Sequence, residues 1–390
     1  MTKNNKVSYE GYAAPTANWG SNLISNYILN GITFGGITGK LEVLNTSDAT
    51  AAPEDIIWGE TAYVDGKKIT GTRVVTVAHG KASQKVFDEN TTLIDDYGNS
   101  VKVPAGFKIA SDSATSVTGG VVIEDSTAGD NYTKGSQFVW IPVGKVKTNS
   151  SGSTTEIQFG RYSFSDDASV ELVQLAENWE DTSDKVAIGK LKELESSTYG
   201  NSTAKNLEGF IKKVASSGGY YIGRYEAGDA YATNSERTSS ANDSNPIVCK
   251  AGVYPYNYIS ELDASRLCKG MYSNSNFESD LINSYAWDTA IVFIQTFSGD
   301  LHYSIQGRLQ TTIAKCGEAT DGTNKDVRCN IFDMAGNTRE FTTETFTDIN
   351  SPCSWRGGSI IFYADNPGRR YGVTTSDGDY RLSARPILYL

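Results

Sequence analysis

The stretch at residues 330–341 reads NIFDMAGNTREF, and it is the most specific pattern in the chain. It lies in the part after Gly299 where the sequence predicts mostly loop and short strand. Long irregular loops inside a compact domain are usually functional. The last 40 residues carry few helix signals and are rich in Tyr, Asp, Ser, Thr, Gly and Arg. We therefore expect the functional surface in the C-terminal part of the chain.

Moving towards the N-terminus, the apolar pattern predicts strands and helices in one domain. A buried strand is expected at 137–143, where Pro142 marks an end or an edge, and a further strand is expected at 220–226. Ser260 is expected to cap a helix, and another helix is expected to begin near Trp287. Two further stripes have helical spacing: Leu172, Leu175, Ala176 and Trp179, and then Leu207, Phe210, Ile211 and Val214. The sequence thus predicts an α+β fold with much irregular loop.

The first 78 residues are predicted to form a separate, small, β-rich region. Asp65-Gly66 is typical of a type I′ turn between two short strands. This region has few apolar residues for a core, so we expect it to serve in attachment or oligomerisation. The remaining residues, 79–390, are predicted to form the larger domain.

Composition excludes several classes of protein. The chain has 390 residues, and 35 Lys and Arg against 46 Asp and Glu give a net charge of −11, which argues against nucleic-acid binding. A mean hydropathy of −0.37 without a long apolar run argues against membrane insertion. The N-terminus has no apolar signal-peptide core, so we expect synthesis in a bacterial cytoplasm without secretion. Two histidines, His79 and His302, cannot build a multi-His metal site.

The five cysteines are odd in number and include no C-x-x-C pair, so free thiols are expected. A bridge between Cys316 and Cys329 is left open by the spacing.

Several ordered segments carry a resemblance to a known fold. They are 138–144, 221–227, 253–268, 330–341, 355–359 and Arg385-Pro386. Together they resemble the formylglycine-generating-enzyme-like branch of the C-type lectin fold over about residues 84–390. Within that fold the chain is more similar to the variable proteins that retroelements diversify in phages and gut bacteria. The hairpin at 61–72 resembles repeats of phage tail proteins.

The resemblance implies a variable cassette at 359–384, enclosed by constant residues. The implied framework is Trp355, Arg356, Gly357, Gly358, Arg385 and Pro386. The run at 360–363 has no polar alternation, so at least half of it is expected in the core. Position and side-chain type predict these ligand contacts: Ser359, Ile361, Phe362, Tyr363, Asp365, Asn366, Tyr371, Val373, Ser376, Asp377, Asp379, Tyr380 and Arg381.

Catalysis is not expected. The enzymes of the resembling family hold copper on two late thiolates, whereas no cysteine follows Cys353 here. Asp377 and Asp379 could be an acid–base pair, but a loop rich in Ser, Thr and Gly favours solvated contact residues. The resemblance allows calcium at Gly336, Asn337 and Glu340. The alternative is that Glu340 pairs with a buried arginine, either Arg356 or Arg385. No other cofactor is expected.

We therefore expect a receptor-binding adhesin of a phage tail, located in the virion. Its partners would be a host-cell surface protein or glycan and other phage tail proteins. A homo-oligomer, for which a trimer is one form, is expected through the N-terminal region. The alternative is a structural decoration domain of a phage tail or bacterial surface protein without a receptor role. A cytoplasmic enzyme is the third hypothesis, and it would require a bound metal.

Overall fold

The computed structural model describes residues 30–34, 37–39, 46–176, 192–193, 207–234, 245–272, 276–307, 312–318, 325–345, 353–360, 365–373 and 378–390. The chain divides into two compact units, Met1–Arg73 and Val74–Leu390. Strands outnumber helices in these ranges and loops are long, as expected of an α+β fold. No helix in the described part of the chain is both long and apolar enough to span a bilayer.

The first unit contains two short hairpins in its described residues. They are formed by β1 (Thr33–Phe34) with β2 (Ile37–Thr38), and by β3 (Thr61–Val64) with β4 (Lys67–Thr70). Asp65 and Gly66 have φ values of 48° and 70°, which confirms the predicted turn. No apolar side chain among the described residues of this unit is fully buried.

The second unit is built on an antiparallel six-stranded sheet. Its strands are β7 (Phe107–Ile109), β8 (Val122–Asp125), β9 (Gln137–Pro142), β15 (Gly219–Gly223), β18 (Glu278–Leu281) and β25 (Pro386–Tyr389). Their order is β18-β25-β15-β9-β8-β7. The predicted strands at 137–143 and 220–226 are therefore confirmed, although β15 ends at Gly223, and the structure pairs them with each other. The C-terminal strand β25 lies inside the sheet, where both of its edges are paired.

A second, mixed sheet carries the C-terminal motifs. Its strands are β14 (Lys192–Glu193), β21 (Arg339–Thr345), β22 (Cys353–Arg356), β23 (Tyr371–Val373) and β24 (Leu382–Ala384). The order is β14-β21-β22-β23, and β24 pairs with β21 in parallel. The cassette thus begins after β22, supplies β23 and β24, and ends where β25 enters the first sheet.

The remaining strands form small antiparallel pairs. These are β5 (Thr91–Ile94) with β6 (Ser100–Val103), β10 (Gly144–Lys147) with β11 (Thr154–Ile157), β12 (Gly160–Phe164) with β13 (Val170–Leu175), β16 (Gly228–Asp229) with β17 (Ile247–Val248), and β19 (Val327–Arg328) with β20 (Ile331–Phe332).

Four α-helices lie in the described residues: α1 (Val77–Ser83), α2 (Leu207–Ser217), α3 (Glu261–Gly270) and α4 (Ser284–Phe297). The helices predicted near 207, after Ser260 and at Trp287 are confirmed. The Ser260 hydroxyl accepts a hydrogen bond from the Asp263 amide at 3.1 Å, as an N-cap should. The main core packs α2 and α4 against the first sheet, with Trp287 fully buried.

The helix predicted from Leu172 to Trp179 is wrong in its described part. Leu172 and Leu175 belong to β13, where they pair with Tyr162 and Gly160 of β12. A short apolar run without an N-cap is compatible with both the helical period of 3.6 residues and the strand period of two residues. The pairing with β12 selects the strand. Trp179 lies outside the described residues.

Residues 74–78 lie within the second unit. The Val75 carbonyl accepts a hydrogen bond from Ile94 at 3.2 Å, and α1 approaches β7 so closely that a Cβ on Gly80 would lie 2.8 Å from Ile109. The structural division therefore falls a few residues before position 78. All five cysteines are free thiols, Cys316 and Cys329 included.

Candidate functional site

One face of the second sheet carries a stack of aromatic and guanidinium groups. Trp355 of β22 lies opposite Tyr371 of β23, and because opposite residues share a face, their rings meet. The ring centroids are 4.3 Å apart and the planes differ by 13°. The Arg339 guanidinium of β21 lies 4.0 Å from the Trp355 ring centroid. Trp355 is therefore held in place by the cassette residue Tyr371 and by Arg339 of the 330–341 motif.

Two ion pairs lie next to this stack. Arg339 donates to one carboxylate oxygen of Asp365 from Nε at 2.9 Å and from Nη2 at 2.8 Å. Arg381 donates to Asp379 from Nε at 2.8 Å and from Nη2 at 2.5 Å. Burial raises the pKa of Asp379, but the hydrogen bonds from Arg381 outweigh it and hold the pKa below its ordinary value. The four charges of these two ion pairs cancel.

The loop that carries the second ion pair is fastened to residues 257–258, which lie outside the cassette. The Tyr258 amide donates to the Asp379 carbonyl at 3.1 Å, and the Asn257 side chain donates to the Tyr380 carbonyl at 2.9 Å. Tyr258 has a φ of 54°, in the left-handed region. The Tyr380 ring lies 6.5 Å from the Tyr258 ring, and the Arg381 guanidinium lies 5.3 Å from the Tyr380 ring. We call the partly exposed residues Tyr371, Asp379, Tyr380 and Arg381 the cassette surface. The buried Trp355 and the Arg339–Asp365 ion pair lie against it.

Arg385 fastens the end of the cassette to both sheets. Its Nε and Nη2 donate to the two carboxylate oxygens of Glu340 at 2.7 and 2.5 Å. Nη1 donates to the Gly223 carbonyl at 2.9 Å, and Nη2 also donates to the Phe332 carbonyl at 2.8 Å. Arg385 and Glu340 are both fully buried. The predicted pairing of Glu340 with a buried arginine is thus confirmed, and its partner is Arg385.

The calcium expectation does not fit this arrangement. Both oxygens of Glu340 accept from Arg385. The Asn337 side chain donates from Nδ2 to Glu226 at 2.6 Å and to the Ala314 carbonyl at 3.2 Å, and its Oδ1 accepts from the Ala314 amide at 2.9 Å. Gly336 turns between these residues and adds no side-chain donor. Within the ranges described, no group of three or more His, Cys, Asp or Glu side chains is arranged to hold a metal ion.

Arg356 fastens the start of the cassette. Its Nη2 donates to Asp288 of α4 at 2.7 Å, and its Nη1 lies 3.7 Å from a carboxylate oxygen of Glu344. All three side chains are fully buried. The six residues expected to be framework are all buried: Trp355, Arg356, Gly357, Gly358, Arg385 and Pro386.

The predicted contact residues divide into three groups. Ser359, Asp365 and Asn366 are buried, so their place in an accessible contact set is corrected; Asp365 is turned towards Arg339 and the Asn366 side chain accepts from the Arg369 amide. The partly exposed ones are Tyr371, Val373, Asp379, Tyr380 and Arg381. Those outside the described residues are Ile361, Phe362, Tyr363, Ser376 and Asp377. Ile360 is buried, as expected of at least part of its run.

Sequence reasoning missed three arginines of this region. Arg339 lies inside the constant motif and contacts the cassette surface, while Arg369 and Arg370 lie inside the cassette. Two consecutive arginines in a Tyr-rich loop indicate a solvated segment. The sequence does not show the acidic partners of Arg370, because they lie far away along the chain. Successive side chains of a strand point to opposite faces of the sheet. Because Glu340 is expected to pair with a buried arginine, this alternation could have placed Arg339 on the opposite face, next to the cassette.

A buried carboxyl lies behind the Arg385–Glu340 pair. Glu226 accepts from the Thr338 amide at 2.8 Å, from the Thr338 hydroxyl at 2.5 Å and from Asn337. Burial and the nearby Glu340 charge raise the pKa of Glu226 to about 8. Burial also raises the pKa of Glu340, to about 7, although the Arg385 charge and hydrogen bonds act in the opposite direction. Because the pKa of Glu226 is the higher of the two, we assign the retained proton to Glu226.

Because the folded protein retains a proton on Glu226, we expect its stability to depend on pH. A carboxyl whose folded pKa lies above its unfolded value contributes stability below the unfolded pKa, and that stability is lost as the pH rises. For Glu226 the window runs from 4.5 to about 8. In urea unfolding between pH 5 and 8.5, Glu226→Gln should show a smaller loss of stability with rising pH than the unsubstituted chain. The exposed Glu208→Gln should keep the original slope, and an unchanged slope in Glu226→Gln would contradict the assignment.

No family model matches the chain, and no curated protein matches it. Among solved structures, Treponema denticola variable protein 1 is 12% identical, with 66% of this chain and 97% of that chain covered and a TM-score of 0.31. The Major Tropism Determinant I1 variant is 11% identical, with 86% and 80% covered and a TM-score of 0.30. CarF is 11% identical, with 44% and 87% covered and a TM-score of 0.30. Variable proteins and tropism determinants agree with the resemblance of the sequence motifs, but matches this weak support no structural argument.

Proposed function

We propose that this chain is a ligand-binding protein that recognises a host-cell surface molecule through the cassette surface. In this proposal the second unit has a C-type lectin-like, formylglycine-generating-enzyme-like fold and acts in a phage tail. Residues 1–78 attach it to other tail proteins or join it to further copies, for which a trimer is one form. The chain binds and does not catalyse.

One observation carries the proposal. The aromatic and charged side chains of the cassette surface are held on strand β23 and on a fastened loop by constant residues on both sides. A surface held in advance loses little entropy when it binds, and Tyr, Trp and Arg are the side chains that dominate binding hot spots. Tyr371 and Tyr380 combine partial exposure with such support.

We expect Tyr371→Ala and Tyr380→Ala to weaken binding to host cells by about 1–4 kcal/mol each, because each removes an aromatic anchor. The measurement is the binding of the labelled full chain to a panel of candidate host strains. Folding should change little, since both rings are partly exposed. Tyr231→Ala is the matched control, because Tyr231 is 52% exposed and lies outside the cassette.

A decoration domain without a receptor role is the alternative. It predicts that no strain in the panel binds the chain above a control protein, or that Tyr371→Ala, Tyr380→Ala and Tyr231→Ala all bind like the unsubstituted chain. Either result would contradict the proposed role of the cassette surface.

A further inference from the structure

A six-residue segment inside the cassette, 365–370, is fastened to the body of the second unit. Asp365 accepts from Arg339, and the Gly368 amide donates to the Ser304 carbonyl at 2.8 Å. The Pro367 carbonyl accepts from Trp287 Nε1 at 2.9 Å and from Arg356 Nη2 at 3.1 Å. We call residues 365–370 the clamp.

The middle of the clamp leaves no space for a larger residue. A Cβ on Gly368 would lie 2.8 Å from the Phe164 Cβ and 2.8 Å from the Ser304 carbonyl oxygen. Residues 365–368 are all buried. A position whose neighbours admit only glycine is not suited to sequence variation.

Arg370 makes the strongest attachment of the clamp. Its Nε donates to both carboxylate oxygens of Glu344 at 3.0 Å, and its Nη2 donates to Asp288. The side chain of Arg370 is 7% exposed, and both acceptors are fully buried. One guanidinium therefore bridges β21 and α4 from within the cassette.

Among the residues that the structure describes, the charges beneath Arg370 are balanced without it. Arg161 of β12 lies 3.9 Å from Glu344, and Arg356 pairs with Asp288. These two arginines and two carboxylates cancel, and Arg370 adds a third buried guanidinium. Removing Arg370 thus leaves Glu344 and Asp288 each with an arginine partner, in contrast to the usual result of breaking a buried ion pair.

From this geometry we infer that the clamp is constant framework and that Arg370 is a positioning residue for the cassette surface. The inference rests on the proposed function, because it concerns how the recognition surface is held. Variation would then be confined to the parts of the cassette on either side of 365–370. Within the clamp, Arg369 is the residue that faces solvent, with its side chain 47% exposed and its Nη1 3.2 Å from the Tyr371 hydroxyl. It is the one clamp residue placed to touch a ligand.

The test is hydrogen exchange of the full chain, measured by mass spectrometry on Arg370→Met. We expect amide exchange in peptides covering 366–373 to rise about tenfold or more. Without the Arg370 guanidinium, this segment can open locally without breaking hydrogen bonds to Glu344 and Asp288. Amides of β9 and β15 should exchange as before, since the remaining charges balance. Arg370→Lys should not restore slow exchange, because an ammonium group cannot reproduce the fork that reaches two carboxylates.

Arg369→Met is the matched control, and it should leave exchange at 366–373 unchanged. Unchanged exchange in Arg370→Met, equal acceleration in Arg369→Met, or global unfolding of Arg370→Met would each overturn the inference. The measurement needs no ligand. Failure of the chain to bind any host cell would therefore count against the proposed function but would not affect the inference about how the clamp is held.

Discussion

Replacing Arg385 with methionine is expected to lower the free energy of unfolding of the second unit by about 3–5 kcal/mol. The substitution leaves Glu340 as a buried charge without its cation and removes the donors of the Gly223 and Phe332 carbonyls. Methionine fills a similar volume, so the loss reports the unpaired charge rather than a cavity. Urea unfolding followed by circular dichroism measures it.

Arg381→Met is the control for this experiment. Arg381 makes an equally direct ion pair, but its side chain is 24% exposed, so water can replace the lost bonds. We expect a change within about 1 kcal/mol. Adding Glu340→Gln to Arg385→Met should restore part of the stability, because the buried charge is removed. Equal effects of Arg381→Met and Arg385→Met would show that the distinction between framework and cassette surface is wrong.

Local patterns explain the parts of the fold that the sequence predicts well. The Asp65-Gly66 turn and the Ser260 N-cap depend on residues next to each other in the chain, and the apolar spacing of α2 depends on neighbouring turns. The burial of Arg385 was predicted differently, from the resemblance of the closing Arg-Pro strand. Its partner Glu340 lies 45 residues earlier, and the sequence could only narrow the choice of arginine to two.

The cassette residues show why the rest could not be predicted. Asp365 and Arg370 look like solvent-exposed contacts, since charged residues in a loop rich in Gly and Tyr are usually hydrated. Their acceptors and donors come from elements far away: Asp288 is separated from Arg370 by 82 residues and Arg339 from Asp365 by 26. The pairing of β21, β22 and β23, together with the packing of α4 against β21, brings these groups together.

Two buried ion clusters of different kinds therefore attach the cassette to the second unit. At its end, Arg385 supplies the cation for the buried Glu340, so its loss is expected to destabilise the second unit. In its middle, Arg370 joins a cluster that is already neutral, so its loss should release the cassette without unfolding the body. A protein built in this way can change its surface residues while two separate attachments keep the surface in register.

A second large effect is expected where the cassette begins. Gly358→Ala should lower the free energy of unfolding by more than about 3 kcal/mol or prevent folding, because a Cβ there would lie 1.8 Å from the Ala335 carbonyl oxygen. The same atom would lie 2.7 Å from the Gly336 amide nitrogen. Neither backbone group can move easily, since the Ala335 amide donates to the buried Asp326 at 2.7 Å and the Gly358 amide donates to the Met334 carbonyl.

The matched control is the same substitution in a helix. Gly209 lies in α2, and a Cβ there would meet nothing within 4 Å, so Gly209→Ala should raise stability by about 0.5–1 kcal/mol through helix propensity. Thermal and urea unfolding of both variants measure the two effects, which have opposite signs. A Gly358→Ala protein as stable as the unsubstituted chain would mean that the end of β22 does not pack against the turn at 334–336. The framework role of Gly358 would then be wrong, and the cassette would need a different support at its start.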